Sequence, residues 1–529
     1  MPALTLFDCN VTVGSRTISR PENDLSPEQI RAEFDHAGVS AGLAFHGHAR
    51  DYAPRIGNER ISALAAQHSR FLPCYVLLPH HTGEFPTGDA LLRYLEDGGA
   101  RAVRLFPNEH NFGLGETWCG DLYSTLEEAG VPLLLDFEQT SWQEVDEILS
   151  APPALNLLLL RVGYRIDRWV HALLDQHPGL RLEPALYPLY CGIETIAEKY
   201  GADRLIFGSG LPEWDAGSAI SHLQYARIDD EARCSIAGEN LKSILWKETA
   251  PAFLPSVGES PERDSIWSRV QTGQSLDDVH IVDVHAHMGP WCNFHIPGNP
   301  WADGMVEAMD ACGIDQVIVA PHVGIGPDMV EGNELAADAI ARFPDRIFAY
   351  CTISPHYPAA EIVAELEKYR ENDGFRGIKI HPVTHDYPAD GEFYTPMWEF
   401  ADANRLPVLI HTWEGDSRCT PSLFGPIGEK FPNAGIILGH SGATPAGIRE
   451  SIETAGKTPN IYLDLTKSLM YRGMVELMVE GVGADRVLFG TDIPFIGNTG
   501  QIGHVAAARL SEEDKRKIFS LNTRQLFGL

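Results

Sequence analysis

Apolar runs of strand length and amphipathic stretches alternate along the chain, eight times in each half. Continuous runs of Val, Ile and Leu are typical of strands buried on both faces of a parallel sheet, and the stretches between them have the period of covering helices. In the second half the predicted strands are 280–286, 316–321, 347–353, 376–381, 407–412, 435–440, 461–466 and 486–491. The predicted helices between them include 302–312, 333–343, 359–370, 395–404 and 473–481.

Eight strand–helix units in about 250 residues are the arrangement of a (β/α)8 barrel. The first half gives the same count, from Leu4–Val11 through Leu205–Gly208. The stretch between the halves is rich in proline and charge and has no sustained apolar period, as is typical of a linker. The sequence therefore predicts an α/β protein with two tandem (β/α)8 TIM barrels, residues 1–250 and 279–529, joined by a linker at 251–278.

The two halves repeat one plan at a near-constant offset. Segments 101–107 and 376–382 stand 275 residues apart, as do segments 131–136 and 406–411. Features that both copies share are interpreted as scaffold, and features of one copy alone are candidates for chemistry. The shared features include Asp8 with Asp283, Gly14 with Gly289, Pro107 with Pro382, and Asn240 with Asn522.

Five side chains that could bind or serve a metal ion occur in the second copy only. His285 and His287 stand two apart at the end of the first predicted strand, so both point to one face. The other three end strands five, six and eight, and the carboxyl ends of barrel strands meet in one mouth. The five are His285, His287, His411, His440 and Asp492, and their counterparts are Asn10, Thr12, Asp136, Arg161 and Gly210. Imidazole and carboxylate ligands predict a site for a divalent metal, zinc first, with manganese, iron or cobalt as alternatives.

These motifs resemble the amidohydrolase superfamily. The resemblance rests on Asp-x-His-x-His at 283–287, His411, Gly-His-x-Gly at 439–442 and Gly-Thr-Asp at 490–492. Gly-Ile-Lys-Ile-His-Pro and the ending Asn522–Leu526 are similar to its amidohydrolase-2 branch. The resemblance covers 279–529 with the motifs intact and 4–246 as a scaffold only.

By this resemblance, His285, His287, His411 and Asp492 hold one divalent metal. Asp492 also carries a proton, and His440 acts beside the metal as a general acid/base. The resemblance implies a hydrolase whose metal-activated water attacks an ester, lactone or amide of a small molecule. The alternative is a decarboxylase or hydratase of an aromatic or unsaturated carboxylic acid, in which His440 or Asp492 delivers a proton to carbon. A non-enzymatic binding protein is a third hypothesis, which the complete ligand set disfavours.

Lys379 admits two interpretations. Some two-metal members of the superfamily carry a carboxylated lysine on strand four as a bridging ligand. The first copy has Arg104 at this place, so a cation persists where no metal chemistry is predicted. We therefore favour an ion-pairing or substrate-anion role for Lys379, and a site with one metal.

Further residues near the predicted mouths are candidates for substrate contact. In the second half they are Lys379, His381, Trp291, Asn293, His295, Trp413 and Lys467. His381 has Phe106 opposite it in the first copy, whereas Lys467 is equally consistent with a solvated lysine. In the first half, Arg104 and Arg161 near Asp136 fit either a buried ion-pair network or a site for a small anion.

The composition argues against some classes of binding partner. A formal net charge of −32 argues against nucleic acid and anionic membranes, which bind basic surfaces. Nine scattered cysteines form no disulfide framework, and the start of the chain has no signal-peptide pattern, so a cytoplasmic protein is expected. The expected partner is a small-molecule substrate, with intrachain pairing of the two barrels and, as an open alternative, a homo-oligomer.

Overall fold

The computed structural model describes residues 4–18, 20, 24–150, 154–246, 265–467 and 470–529. The chain divides into two compact units. The first unit is Met1–Arg263 with Gln271–Gln274, and the second is Asp264–Val270 with Ser275–Leu529. Each unit is built on one parallel sheet whose strands pair in chain order, as expected for strands that alternate with helices.

The first unit contains a seven-stranded sheet. Its strands are β1 Leu6–Val13, β2 Val39–His46, β3 Phe71–Val76, β4 Ala102–Leu105, β5 Leu133–Asp136, β6 Leu157–Leu160 and β7 Leu180–Leu182. Its helices are α1 Pro27–Ala37, α2 Gly47–Asp51, α3 Pro54–Gln67, α4 Gly88–Asp97, α5 Pro107–His110, α6 Glu116–Ala129, α7 Trp142–Ser150, α8 Asp167–Gln176, α9 Gly192–Tyr200, α10 Ala216–Gln224, α11 Asp230–Cys234 and α12 Asn240–Leu245. A π-helical turn, Ser235–Glu239, lies between α11 and α12.

The first unit has seven regular strands where the sequence predicts eight. The segment expected as the eighth strand makes one isolated parallel bridge, between Leu182 and Leu205. It still closes the barrel, because the amide of Ile206 donates to Leu182 and the amide of Cys9 donates to the carbonyl of Phe207, each at 3.0 Å. The pairing is too short to count as a strand, although the barrel is closed as predicted.

The second unit contains an eight-stranded sheet. Its strands are β8 Val282–Met288, β9 Gln316–Pro321, β10 Ile347–Thr352, β11 Phe375–Ile380, β12 Pro407–His411, β13 Gly435–Gly439, β14 Ile461–Asp464 and β15 Val487–Leu488. Its helices are α14 Ala302–Cys312, α15 His322–Ile325, α16 Met329–Arg342, α17 Ala359–Arg370, α18 Thr395–Asn404, α19 Phe424–Lys430, α20 Pro445–Lys457, α21 Met474–Val482, α22 Asn498–Ala506, α23 Glu512–Arg516 and α24 Asn522–Phe527. A π-helical turn, Lys517–Leu521, precedes α24. The prediction of two tandem (β/α)8 TIM barrels is confirmed.

Part of the stretch predicted as a linker is helical. Helix α13, Ser265–Gln271, buries Ile266, Trp267 and Val270. Apolar residues on one side of a short helix need a packing partner, so this segment is packed structure. The rest of the linker up to residue 264 lies outside the described residues.

Scaffold residues predicted from the repeat make the same contacts in both units. Asp8 accepts hydrogen bonds from the amide and hydroxyl of Ser209, and Asp283 accepts them from the amide and hydroxyl of Thr491. Both aspartates thereby tie the first strand to the segment after the last one. Asp283 is a structural acceptor, as the repeat predicts.

The buried carboxyl of Asp8 predicts a pH dependence of stability. Burial raises its pKa from 3.8 to about 7, against the hydrogen bonds from Ser209 and Asn10. The folded protein therefore keeps a proton that the unfolded chain loses, and the stability present below about pH 3.8 is lost as the pH rises through about 7. We expect Asp8→Asn to remove this pH dependence. The unfolding free energy of the variant, relative to that of the parent, should therefore rise between about pH 4 and pH 7. Urea unfolding at both pH values checks this, and a pH-independent difference would contradict it.

None of the described helices is long and apolar enough to cross a membrane. All nine cysteines are free thiols in this structure.

Candidate metal centre

Three predicted ligands meet at the carboxyl end of the second barrel. His285 and His287 lie on β8 and are buried, and Asp492 follows β15 in a left-handed conformation with φ of 66°. The amide of Asp492 donates to the carbonyl of His285 at 2.7 Å, which holds the aspartate against the histidine strand. The ligand atoms of these three residues all lie within 4.8 Å of one another, close enough to hold one metal ion.

Hydrogen bonds fix which nitrogen of each histidine faces the site. Nδ1 of His287 lies 2.9 Å from the carbonyl oxygen of Ala320, and Nδ1 of His285 lies 2.6 Å from Oδ2 of Asp464. A carbonyl can only accept, so Nδ1 of His287 carries the proton, and we assign the same tautomer to His285. Nε2 of each histidine then presents a lone pair. Metal-binding histidines are commonly oriented in this way, by a hydrogen bond that the other ring nitrogen donates.

The contact between His287 and Asp492 fits a bound cation. Nε2 of His287 lies 3.1 Å from Oδ1 of Asp492, and Nε2 of His285 lies 3.8 Å from the same oxygen. Burial, with a contribution from Lys379, lowers the pKa of His287 to about 3, so its imidazole is neutral near pH 7 and Nε2 presents a lone pair. Two acceptor atoms at this distance repel unless a cation lies between them. The residues present therefore suit a divalent ion.

His411 lies outside this group of three. It ends β12, and its ring stacks on His381 at 4.1 Å between centroids and on Trp413 at 6.0 Å. The edge of its ring approaches His440, with 4.8 Å between centroids. The predicted ligand is therefore beside the centre, and its metal-binding role stays a prediction.

His440 lies against the centre in a constrained conformation. Its φ is 65°, and its ring centroid is 4.7 Å from that of His285. Nδ1 donates to the carbonyl of Thr466 at 3.1 Å, which leaves Nε2 as the acceptor. Burial lowers the pKa of His440, against the pull of Asp492 and Asp464, so its imidazole is neutral near pH 7. A neutral imidazole held in this way can take or return a proton at Nε2.

Asp464 is a site residue that the sequence reasoning missed. It ends β14 and accepts hydrogen bonds from His285 and from the amide of His440, the latter at 3.1 Å. The amide and hydroxyl of Thr466 also donate to it, at 3.0 and 2.7 Å. Glu183 stands at the matching place in the first copy, so an acidic residue at the carboxyl end of the seventh strand of both copies was the available signal.

Lys379 lies on the floor of the centre. It is fully buried on β11, and its Nζ is 3.2 Å from Nε2 of His285. Burial lowers its pKa from 10.5 to about 8, although Asp492 and Asp464 favour the charged form. The electrostatic effect of these two carboxylates agrees with a charged Lys379, although the contact of its Nζ at hydrogen-bond distance is with His285.

The other predicted substrate residues line different parts of the same barrel end. His381 lies next to His411, and the amide of Thr384 donates to its Nδ1 at 3.1 Å. Because Nδ1 accepts, Nε2 of His381 carries the proton, the opposite tautomer to His285. Among the remaining candidates, Trp291 packs on Phe495 and His322. Asn293 and His295 are exposed, and Trp413 is 47% exposed. Lys467 is half-buried over the ring of Tyr471.

The first unit keeps the backbone of this centre and replaces its ligands. Arg161 and Gly210 have the left-handed φ of their counterparts, 59° and 73°. The amide of Arg161 donates to Glu183 at 3.2 Å, as that of His440 donates to Asp464. Arg104 bonds to Asn10 at 3.0 Å and pairs with the buried carboxylate of Asp136. Within the part of the chain that the structure describes, the group suited to a metal lies in the second unit alone.

Because Asp136 pairs with the buried Arg104, we expect its replacement to destabilise the protein far more than replacement of the nearby Glu138. Asp136→Ala leaves a guanidinium that is 4% exposed without its carboxylate, and we expect a loss of about 3–5 kcal/mol in unfolding free energy. Glu138→Ala, at a side chain that is 46% exposed, is the matched control and should cost less than about 1 kcal/mol. Urea unfolding of the full chain compares them, and equal losses would show that the buried pair adds nothing.

Comparison with known proteins places this architecture in a family. The family model described as Amidohydrolase matches the chain twice, at residues 16–241 and 282–529. The chain is 27% identical over 290 residues to a gamma-resorcylate decarboxylase of Polaromonas sp. (strain JS666 / ATCC BAA-500), covering 43% of this chain and 87% of that protein. It is 25% identical over 307 residues to the gamma-resorcylate decarboxylase of Rhizobium radiobacter, covering 44% and 92%.

Solved structures are similar at lower identity. One is a dihydroxybenzoic acid decarboxylase from Polaromonas sp. JS666 with bound manganese and the inhibitor 2-nitroresorcinol, at 20% identity, 47% coverage of this chain, 97% of that chain and a TM-score of 0.37. The two matches to the family model lie one in each unit, and the second contains all five residues of the predicted centre. The chain therefore belongs to the amidohydrolase family, as a metal-dependent enzyme that carries the fold of that family twice.

Proposed function

We propose that the second unit is a divalent-metal-dependent decarboxylase of an aromatic carboxylic acid, and that the first unit performs no metal chemistry. The observation that carries decarboxylation is the similarity to gamma-resorcylate decarboxylases, at 25–27% identity. Of the two activities expected from the sequence, the hydrolytic one has less support than its alternative. The substrate class is thus a small aromatic acid, while pairing of the barrels and self-association stay predictions.

The metal would be held by His285, His287 and Asp492, with His411 as the fourth proposed ligand. When bound, the ion supplies positive charge that anchors and polarises the oxygen atoms of the acid. Nitrogen and oxygen ligands suit zinc or manganese alike. We propose one ion, because the described residues contain one group of three suitable ligands, and the position of Lys379 keeps a cation, Arg104, in the barrel that lacks this group.

The side chains supply the proton that decarboxylation needs. As the bond between the ring carbon and the carboxylate breaks, its electron pair stays on the ring carbon and carbon dioxide leaves. The ring carbon then takes a proton from the carboxyl of Asp492, which is left as a carboxylate. Nε2 of His440 accepts a proton from water and passes it to that carboxylate, so one solvent proton is consumed for each carbon dioxide released. Asp464 holds His440 and His285 in the required orientation.

A stack of rings beside the centre suits an aromatic substrate. His381 and Trp413 lie within 12° and 11° of the plane of His411, and Trp413 is half exposed. Flat aromatic groups stack favourably on such surfaces. The proton on Nε2 of His381 can be donated to a carboxylate or hydroxyl oxygen of the substrate.

This role of His381 predicts a selective loss of substrate affinity. A hydrogen bond to a charged group contributes about 1.5–3 kcal/mol, so His381→Leu should raise KM by about 10- to 100-fold. His381→Gln offers an N–H at a similar position and should recover part of that loss. Steady-state kinetics with metal analysis of each variant checks this. A KM that is unchanged in His381→Leu, or a loss of metal that explains the defect, would contradict it.

Product analysis tests the proposed reaction. Manganese-loaded and zinc-loaded full-length protein is incubated in D2O with 2,6-dihydroxybenzoate, and in parallel with phenyl acetate and dihydrocoumarin. We expect release of carbon dioxide with one deuterium on the ring carbon that carried it. Hydrolysis of the ester or lactone with no decarboxylation of aromatic acids would favour the hydrolase.

A further inference from the structure

The mouth of the first unit contains a cavity at the place where the second unit has its metal centre. Its lining includes Thr12 and Pro212, the counterparts of His287 and Pro494. The cavity has a volume of about 200 Å³, below the ~300–1,000 Å³ typical of drug-sized sites, so it suits a small ligand. A barrel without metal ligands has therefore kept an open mouth.

The charge of this cavity is opposite to that of the chain. Four of its eleven lining residues are arginines and three are acidic. The whole chain has 41 basic and 73 acidic residues. A locally cationic cavity in an acidic protein concentrates small anions, because its walls focus the field of the guanidinium groups.

Two of the arginines have donors left for a ligand. Among the described residues, the Arg161 side chain bonds through Nη1 to Glu213 at 2.8 Å, and the Arg16 side chain bonds through Nε to Asp51 at 2.6 Å. Both side chains are partly exposed, by 20% and 30%. A guanidinium has five N–H donors in a planar fork, so each retains nitrogens that can bind a carboxylate. Arg50, in contrast, is engaged by Glu109 and Glu138.

The floor beneath the mouth is closed to a ligand. Arg104 is 3% exposed, and Asp136 beside it is fully buried. Asn10 joins this pair to Glu183, with 3.1 Å between the amide nitrogen and the carboxylate. Arg104 and Asp136 pair with each other and do not line the cavity, although Nε of Arg104 and Oδ2 of Asp136 have no hydrogen-bond partner among the described residues. Arg16 and Arg161 are therefore the arginines that we expect to meet a ligand from the mouth. The sequence offered two interpretations of Arg104 and Arg161, a buried ion-pair network or a site for a small anion. Arg104 fits the ion pair at the bottom of the barrel mouth, and Arg161 fits the anion site above it.

We propose that the mouth of the first unit binds a small organic carboxylate through Arg16 and Arg161. Trp214 supports the guanidinium of Arg161, with 5.5 Å between the guanidinium carbon and the ring centroid. Stacking of this kind restricts the guanidinium plane, which favours a planar anion that takes two parallel hydrogen bonds. The proposal is independent of the reaction proposed for the second unit.

Equilibrium dialysis of radiolabelled benzoate against the full-length chain tests the proposal. The experiment uses the His285→Ala/His287→Ala background, so that the centre of the second unit does not dominate binding. We expect one saturable site, weakened at least tenfold by Arg161→Gln and by Arg16→Gln. Arg93→Gln, at an exposed arginine on α4, is the matched control and should leave benzoate binding unchanged.

A further variant and a competition measurement test whether the site recognises a carboxylate. Arg161→Lys keeps the charge without the planar fork and should bind with intermediate affinity, which separates recognition from misfolding. Inorganic phosphate should compete only weakly. Absence of saturable benzoate binding, equal binding by the Arg161→Gln and Arg93→Gln proteins, or displacement by phosphate at lower concentrations than by unlabelled benzoate would each overturn the proposal.

Discussion

Asp492→Asn is expected to lower kcat by about 10³- to 10⁴-fold, the upper part of the range for loss of a general acid. The amide has no proton to give to the ring carbon and no charge to offer the metal. The oxygen affected lies 3.1 Å from Nε2 of His287, and the amide of residue 492 donates to the carbonyl of His285. The measurement is kcat for decarboxylation of 2,6-dihydroxybenzoate at saturating manganese.

A surface aspartate of the same unit provides the control for this loss. Asp485→Asn changes a side chain that is 76% exposed and pairs with Lys517, so kcat should stay within about twofold of the parent. Saturating metal separates the proton-transfer role from weakened metal binding. An Asp492→Asn protein that retains more than about a tenth of the parental kcat would remove Asp492 from the proton path.

Replacing His285 and His287 together with alanine is expected to remove the tightly bound metal and all turnover. The two imidazoles supply the nitrogen ligands of the three-residue group, and the two proposed ligands that remain, Asp492 and His411, would hold a divalent ion only weakly. The structure supplies a control in the matching positions of the first unit. Asn10→Ala/Thr12→Ala should leave both metal content and kcat at parental values, because no ligand group lies there among the described residues.

The two double variants also locate the activity within the chain. Metal analysis after dialysis, with kcat measured on the same samples, gives both readings. Metal retained by His285→Ala/His287→Ala and lost by Asn10→Ala/Thr12→Ala would place the working centre in the first barrel. That result would reverse the assignment of the two units.

The sequence predicted the fold well because strand and helix periods are local properties. Helices 302–312, 359–370 and 395–404 have the predicted bounds, because the amphipathic period of each lies in its own residues. The eighth strand of the first unit was predicted too long, because its pairing is decided by the neighbouring strand and not by its own residues. Helix α13 was missed because seven residues are too few for its period to be recognised.

The candidate site was predictable to the extent that it depends on strand ends. His285, His287 and Asp492 converge because barrel strands end in one mouth. Asp464 was missed because its role lies in contacts with residues distant in sequence, although Glu183 in the other copy marked the position. The ring of His411 is placed by stacking on its neighbours, which no local pattern encodes.

The metal content of the parent protein tests the central claim most directly. Purified full-length chain, dialysed without chelator and analysed by plasma emission, should contain one divalent ion per 529-residue chain. One ion agrees with a single working centre in two barrels. Two ions per chain would contradict the one-metal centre and restore Lys379 as a carboxylated bridging ligand. No ion, with none taken up from added manganese or zinc, would contradict the metal-dependent reaction itself.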